Sequence, residues 1–223
     1  MSNKKTDNAM RNLFIEKIYN ICDGKKAEEV FLTYIKSDGA EDDITYRSFG
    51  QKCELLMQKF QKSILHRKDR VLVLTPMSPF GCIAVTALAI SELVSVVLNP
   101  QLPEEELDSL VKKSDISGIV CDEEIYQKYA YKWTQKYPVF NIKTGDLFLD
   151  REYFSEPSKD SDDVLAILYS SGTTSEPKGV MITYEAQMKS AELLLRAFGT
   201  NDIRYLLVFP MFHVSGFSVF FAL

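Results

Sequence analysis

Short runs of uninterrupted apolar residues alternate with helical stripes along most of the chain. Arg70 to Thr75 (RVLVLT), Ser95 to Leu98, Gly118 to Cys121 and Val139 to Ile142 have no polar alternation, which predicts strands buried on both faces. The segments between them read as helices. Ser78-Pro79 places a capping serine before a proline at the first helical position. Pro103 followed by Glu104, Glu105 and Glu106 opens another helix, and Lys112 and Lys113 close it, so its charges complement the helix dipole at both ends. Glu123 to Tyr137 predicts a third, carrying Trp133. Upstream, Leu13, Phe14, Ile15 and Ile18 mark a first helix, Val30 to Ile35 a strand and Ser37 to Asp43 a polar turn around Gly39. A helix from about Ser48 follows, with Phe49, Cys53, Leu56, Phe60 and Ile64 at helical spacing. Downstream, Val164 to Tyr169 and Val180 to Ile182 read as strands. Thr183 caps a helix from Tyr184 to Phe198, with Glu185 in its first turn and Gly199 as its stop. Its stripe of Met188, Ala191, Leu195 and Phe198 is expected in the core. Tyr205 to Phe209 predicts one more strand.

Strand alternating with helix implies an α/β protein with mostly parallel sheets flanked by helices. Four stretches divide the chain. Residues 1–10 are polar and expected to form a loosely attached tail. Residues 11–150 make a first α/β subdomain. Residues 151–163, polar and containing Pro157, read as a linker. Residues 164–223 begin a second α/β subdomain. No internal repeat or low-complexity tract is evident.

Composition narrows the function. The 223 residues are 46% hydrophobic, 26% charged and 12% aromatic, ordinary for a chain with a real core. The net charge of −5, without a dense basic stripe, argues against nucleic acid as a partner. Cys22, Cys53, Cys82 and Cys121 show no CxxC spacing, and His66 and His213 are the only histidines, so no metal site is expected. Buried free thiols fit a reducing cytosol. The polar N-terminus lacks the apolar run of a signal peptide. Phe80 to Leu98 is strongly apolar, but Ser91 and Glu92 interrupt it, Gly81 lies near its start and Pro79 stands at its head. A buried helix followed by a buried strand explains it better than a membrane span.

The chemistry concentrates in Ile167 to Val180, ILYSSGTTSEPKGV. A buried strand breaks into small hydroxylated residues around one glycine. Gly172 lets the backbone turn through angles a side chain would forbid. Ser170, Ser171, Thr173, Thr174 and Ser175 offer hydroxyl and backbone donors, and successive N–H groups in such a turn form a nest for anions. Lys178 adds a compact charge on a flexible stem, and Pro177 pre-sets the chain before it. The order differs from a Walker A loop, because glycine follows the lysine and proline precedes it. On composition alone, a surface turn without a binding role stays open, since Ser, Thr and Gly are common in turns.

SSGTTSEPKG resembles the phosphate-loop signature of the AMP-forming acyl-CoA synthetase superfamily, usually TSGTTGxPKG, with Ser175 in place of the more usual glycine. Asp69-Arg70-Val71 and Leu98-Asn99-Pro100 resemble further segments of that superfamily, although Leu93-Val94 replaces its usual Gly-Ala. FPMFHVSG around His213 is similar to its PLFHxxG segment. A lone histidine after a strand is more often structural than catalytic. The resemblance instead implies that His213 places the substrate carboxylate or gates the acyl pocket. It also implies the first half of the large N-terminal domain of adenylate-forming enzymes, with ATP, Mg2+ and coenzyme A used by the complete enzyme on a carboxylic acid in the cytoplasm. Thr183-Tyr184 and HVSGFS resemble the o-succinylbenzoate–CoA ligase branch, with a general fatty or aryl acid ligase as the competing assignment. The later adenine-holding, ribose-binding and C-terminal lysine segments of the superfamily have no match here. The 223 residues alone are therefore expected to be inactive. They are also expected to self-associate or to need the missing C-terminal portion, because Phe212, Phe217, Phe220 and Phe221 cluster within apolar residues 206–223. The alternative is a non-catalytic remnant or phosphate-binding interaction module.

Overall fold

A computed structural model describes residues 3–144, 146–148, 163–170, 177–199 and 203–222. In chain order the elements are α1 (Asn3–Asp23), β1 (Val30–Ile35), β2 (Glu41–Thr45), α2 (Tyr46–Gln61), β3 (Arg70–Leu74), α3 (Pro79–Ile90), β4 (Val94–Val97), α4 (Glu104–Ser114), β5 (Gly118–Cys121), α5 (Glu123–Trp133), β6 (Val139–Asn141), β7 (Leu147–Phe148), β8 (Val164–Tyr169), β9 (Gly179–Thr183), α6 (Tyr184–Phe198) and α7 (Val214–Phe220).

Strands apolar at every position have no solvent face, so they lie side by side beneath helices on both faces. Among the described residues they form one seven-stranded sheet in the order β7-β6-β5-β3-β4-β8-β9. The pairings β3–β4, β3–β5, β4–β8 and β5–β6 are parallel. The outer strands β7 and β9 run antiparallel to their neighbours. The central α/β architecture is the expected one. Strands on either side of residues 151–163 are neighbours in this single sheet, because β8 lies beside β4 with Ser95 opposite Ala166. Residues 151–162 are outside the described residues.

The strand repeat of two divides the core. Val71, Val73 and Val120 face a cluster built with Phe49 and Cys53 of α2, Ile83 and Leu88 of α3, Tyr184 of α6 and Phe217 of α7. Leu72, Leu74 and Ile119 face the opposite cluster, with Leu107 and Leu110 of α4 and Trp133 of α5. Every residue of α3 except Phe80 is buried. Its uniformly apolar sequence is therefore satisfied inside the protein. No helix among the described residues is long and apolar enough to cross a membrane. All four cysteines are free and buried.

α1 includes residues 3–10, the stretch read as a loose tail from its polarity. Further along this helix, Arg11 is buried and forms a 3.0 Å ion pair with Glu92. Phe14 meets Tyr184 edge to face, with ring centroids 5.2 Å apart.

Four expectations are corrected. The polar turn at 37–43 contains the start of β2, which closes a two-stranded antiparallel hairpin with β1. Its acidic face hid the strand from an apolar pattern search. Tyr205 to Phe209 joins no strand ladder. It has the sequence of a strand without a neighbour to pair with among the described residues. On α6, Tyr184 and Gln187 are the buried residues, while Met188, Ala191 and Leu195 are half-buried and Phe198 is exposed. Finally, Phe217 and Phe220 are buried, and Phe221 packs against Phe14 and Phe217. The exposed apolar surface lies earlier, at Leu206, Val208, Phe209 and Val214.

Candidate functional site

β8 and β9 form an antiparallel hairpin with Tyr169 opposite Gly179, so the hydroxyl-rich loop connects them. Ser170 and Lys178 close its base. The Ser170 amide donates to the Lys178 carbonyl at 3.0 Å, and the Lys178 amide lies 3.4 Å from Ser170 Oγ. The sequence therefore needs both an apolar β8 and a short β9 to bring the first hydroxyl of the loop beside its lysine. Both residues are exposed. Ser171, Gly172, Thr173, Thr174 and Ser175 lie outside the described residues.

Two tyrosines tie this hairpin to the helices. Tyr169 at the end of β8 shares a 2.9 Å hydrogen bond with the Ser114 hydroxyl at the end of α4. Tyr184, directly after β9, donates to the Ala89 carbonyl of α3 at 3.0 Å. Burial pushes the Tyr184 hydroxyl pKa up, with Glu92 and Asp163 adding to the shift and Arg11 and Arg67 opposing it. That hydroxyl stays protonated and serves as a hydrogen-bond donor. Tyr169 does not stand out in the sequence, and Tyr184 does so only through its pairing with Thr183. The signal available was position: each flanks the hairpin, one directly before the hydroxyl-rich loop and one directly after β9.

His213 occupies the N-cap position of α7, but its side chain makes no capping bond. Its amide donates to the Pro210 carbonyl at 2.9 Å, and its carbonyl accepts the Phe217 amide at 3.0 Å. A Cβ at Gly216 would stand 2.3 Å from the Pro210 oxygen and 2.4 Å from the Phe209 oxygen, so only glycine fits this turn. The imidazole is exposed, its ring centroid 6.2 Å from that of Phe209.

Met211 packs beside Gly81 at the start of α3, next to Thr75, where the chain leaves β3. β3, β4 and β8 are parallel, so Ser170 leaves the sheet at the same end as Thr75. The hairpin base and the His213 turn thus share the carboxyl end of the strands, where open α/β sheets bind ligands. No hydrogen bond or ion pair among the described residues joins His213 to Ser170 or Lys178. No group of three or more His, Cys, Asp and Glu side chains suited to a metal ion occurs among the described residues.

A central parallel sheet with antiparallel edges and helices on both faces is the architecture of the N-terminal domain of adenylate-forming enzymes. The chain superposes on O-succinylbenzoate coenzyme A synthetase from Bacillus subtilis in complex with AMP with a TM-score of 0.73 at 19% identity, covering 94% of this chain and 52% of that one. The fatty acid AMP ligase from Legionella pneumophila gives a TM-score of 0.76 at 18% identity, covering 94% and 37%. In sequence, the chain is 28% identical over 182 residues to the 2-succinylbenzoate–CoA ligase of Bacillus cereus strain Q1, covering 80% of this chain. The profile of the AMP-binding enzyme family matches residues 22–223. The chain belongs to the AMP-binding enzyme family. It spans 36% of the length of that Bacillus cereus relative.

Proposed function

We propose that these residues form the N-terminal portion of an AMP-forming acid–thiol ligase. The observation that carries the reading is the Ser170–Lys178 closure, which sets the Ser170 hydroxyl against the backbone of Lys178 at the carboxyl end of the sheet. The reaction joins a carboxylate to the α-phosphorus of ATP with release of pyrophosphate, and the acyl group then passes to the thiol of coenzyme A. In this reading Lys178, with the hydroxyls of Ser170, Ser171, Thr173, Thr174 and Ser175, holds the β- and γ-phosphates while charge builds on the leaving pyrophosphate. Gly172 allows the backbone to wrap them. The contribution is electrostatic and positional. His213 orients the carboxylate or gates its pocket; it need not remove a proton, because a carboxylic acid is ionised at neutral pH. Mg2+ is proposed to accompany ATP in the complete enzyme, where it would offset phosphate charge.

The acid is proposed to be o-succinylbenzoate, supported by the likeness of Thr183-Tyr184 and HVSGFS to that branch and by the names of the Bacillus relatives. The complete protein is proposed to work in the cytoplasm. The isolated 223 residues are expected to catalyse no pyrophosphate exchange and to self-associate through the exposed Leu206, Val208 and Phe209.

Acid-dependent ATP–pyrophosphate exchange by the full-length protein carrying this chain tests the reading. Lys178→Ala should lower exchange about a hundredfold with folding intact, the scale of losing one charge-stabilising donor. Unchanged exchange removes Lys178 from the chemistry. Exchange that no carboxylic acid stimulates favours a non-catalytic phosphate-binding module.

A further inference from the structure

We infer that Tyr169, through its bond to Ser114, is a positioning residue that sets where Lys178 stands. The inference rests on reading residues 170–178 as a phosphate site. Ser114 is the last residue of α4 and is 1% exposed. Its hydroxyl donates to the Leu110 carbonyl at 2.6 Å, which leaves its oxygen to accept the Tyr169 hydroxyl. The Ser114 carbonyl accepts Arg70 Nη1 at 3.0 Å, fixing the end of α4 to the start of β3. Ser114 is therefore a rigid point to hang a strand from.

The tyrosine carries that fixity across the hairpin. A Cβ at Gly179 would lie 3.3 Å from Tyr169 Cζ and 3.5 Å from its hydroxyl oxygen, so the ring rests against the glycine of the opposite strand. The next residue back is Lys178, whose carbonyl receives the Ser170 amide. Among the described residues β9 is an edge strand that pairs with β8 alone. The other anchor, Tyr184, lies six residues further along the chain. Tyr169 is the near one, and its hydroxyl links a buried helix end to the exposed lysine.

Tyr169→Phe keeps the ring and deletes the hydroxyl; Ser114→Ala deletes its partner. Both, and the double variant, are made in the 223-residue chain and confirmed folded by circular dichroism. Two quantities are read well below the melting temperature: hydrogen exchange of the Ser170 amide, and the affinity for inorganic pyrophosphate. Exchange should speed about tenfold in each variant, and pyrophosphate affinity should fall about three- to tenfold, the usual net value of one hydrogen bond. The double variant should be no worse than Ser114→Ala, since that variant already removes the bond to Tyr169. Unchanged exchange in Tyr169→Phe overturns the inference, as do additive losses in the double variant. Faster exchange with unaltered pyrophosphate affinity also overturns it, because the bond then holds the strand and not the ligand. If the unaltered chain binds no pyrophosphate, the phosphate reading itself falls, and the exchange measurement alone decides whether Tyr169 fixes Lys178.

Discussion

Arg70-Val-Leu-Val-Leu and Arg204-Tyr-Leu-Leu-Val-Phe are nearly interchangeable as sequence, yet they meet opposite fates. The first is β3 at the centre of the sheet, with parallel neighbours on both sides and its four apolar residues fully buried. The second makes no ladder among the described residues, and Leu206 is 73% exposed. Strand propensity describes how well a residue fits a pleated, half-buried surface. Without that surface Tyr205, Leu206, Val208 and Phe209 stay exposed, and only Leu207 turns toward the core. The difference lies in what stands beside them.

The largest effect is expected from substituting equivalent leucines. Leu72→Ala in β3 should cost about 2–5 kcal/mol, whereas Leu206→Ala should stay within about 0.5 kcal/mol. Urea unfolding measures both, and equal costs would mean that residues 203–209 are packed in solution. A smaller effect is expected at the rim of the core. Glu92, at φ 58°, sits between Arg11 and Arg67. Glu92→Gln removes the negative charge facing the buried Arg11 and should destabilise by about 2 kcal/mol, less than the loss from a fully buried pair because Glu92 is partly exposed. A loss that vanishes in high salt would show this ion pair to be open to solvent.

Alkaline titration sharpens the contrast, because Cys22, Cys53, Cys82 and Cys121 all lie outside residues 203–222. Burial pushes the thiols of Cys22 up to about 11 and of Cys82 and Cys121 up to about 12, from an ordinary 9.0. The folded state keeps these thiols protonated, so their contribution is fully present below pH 9. It is lost as pH rises through 9 toward 11–12, where the unfolded chain ionises first. The unfolding midpoint should fall over that window, and a thiol reagent at pH 8 should label none of the four before unfolding. Rapid labelling of the folded chain would contradict their burial. The smallest effect is expected from Leu206→Ser with Val208→Ser: an unfolding midpoint unchanged within about 0.5 kcal/mol, but less light scattering. Unaltered scattering would locate self-association elsewhere.

The central fold was legible because its residues obey short-range rules. Pro79 starts α3, Thr183 accepts the Ala186 amide at the start of α6, and Gly199 ends it in a left-handed turn. What escaped depends on partners distant in sequence. Glu41 to Asp43 look like a turn until β1 lies beside them, and Tyr205 to Phe209 look like a strand until no neighbour is found. The loop composition and His213 marked the candidate site, but Tyr169 and Ser114, 55 residues apart, meet only through the fold.

Five paired positions, from Val164–Thr183 to Tyr169–Gly179, fix the hairpin independently of the residues between Ser170 and Pro177. Burial lies on β8, from Val164 to Leu168, and the five pairs set where the more exposed β9 lies against it. Ser170 and Lys178, which bracket the proposed phosphate loop, therefore stay where the ladder puts them.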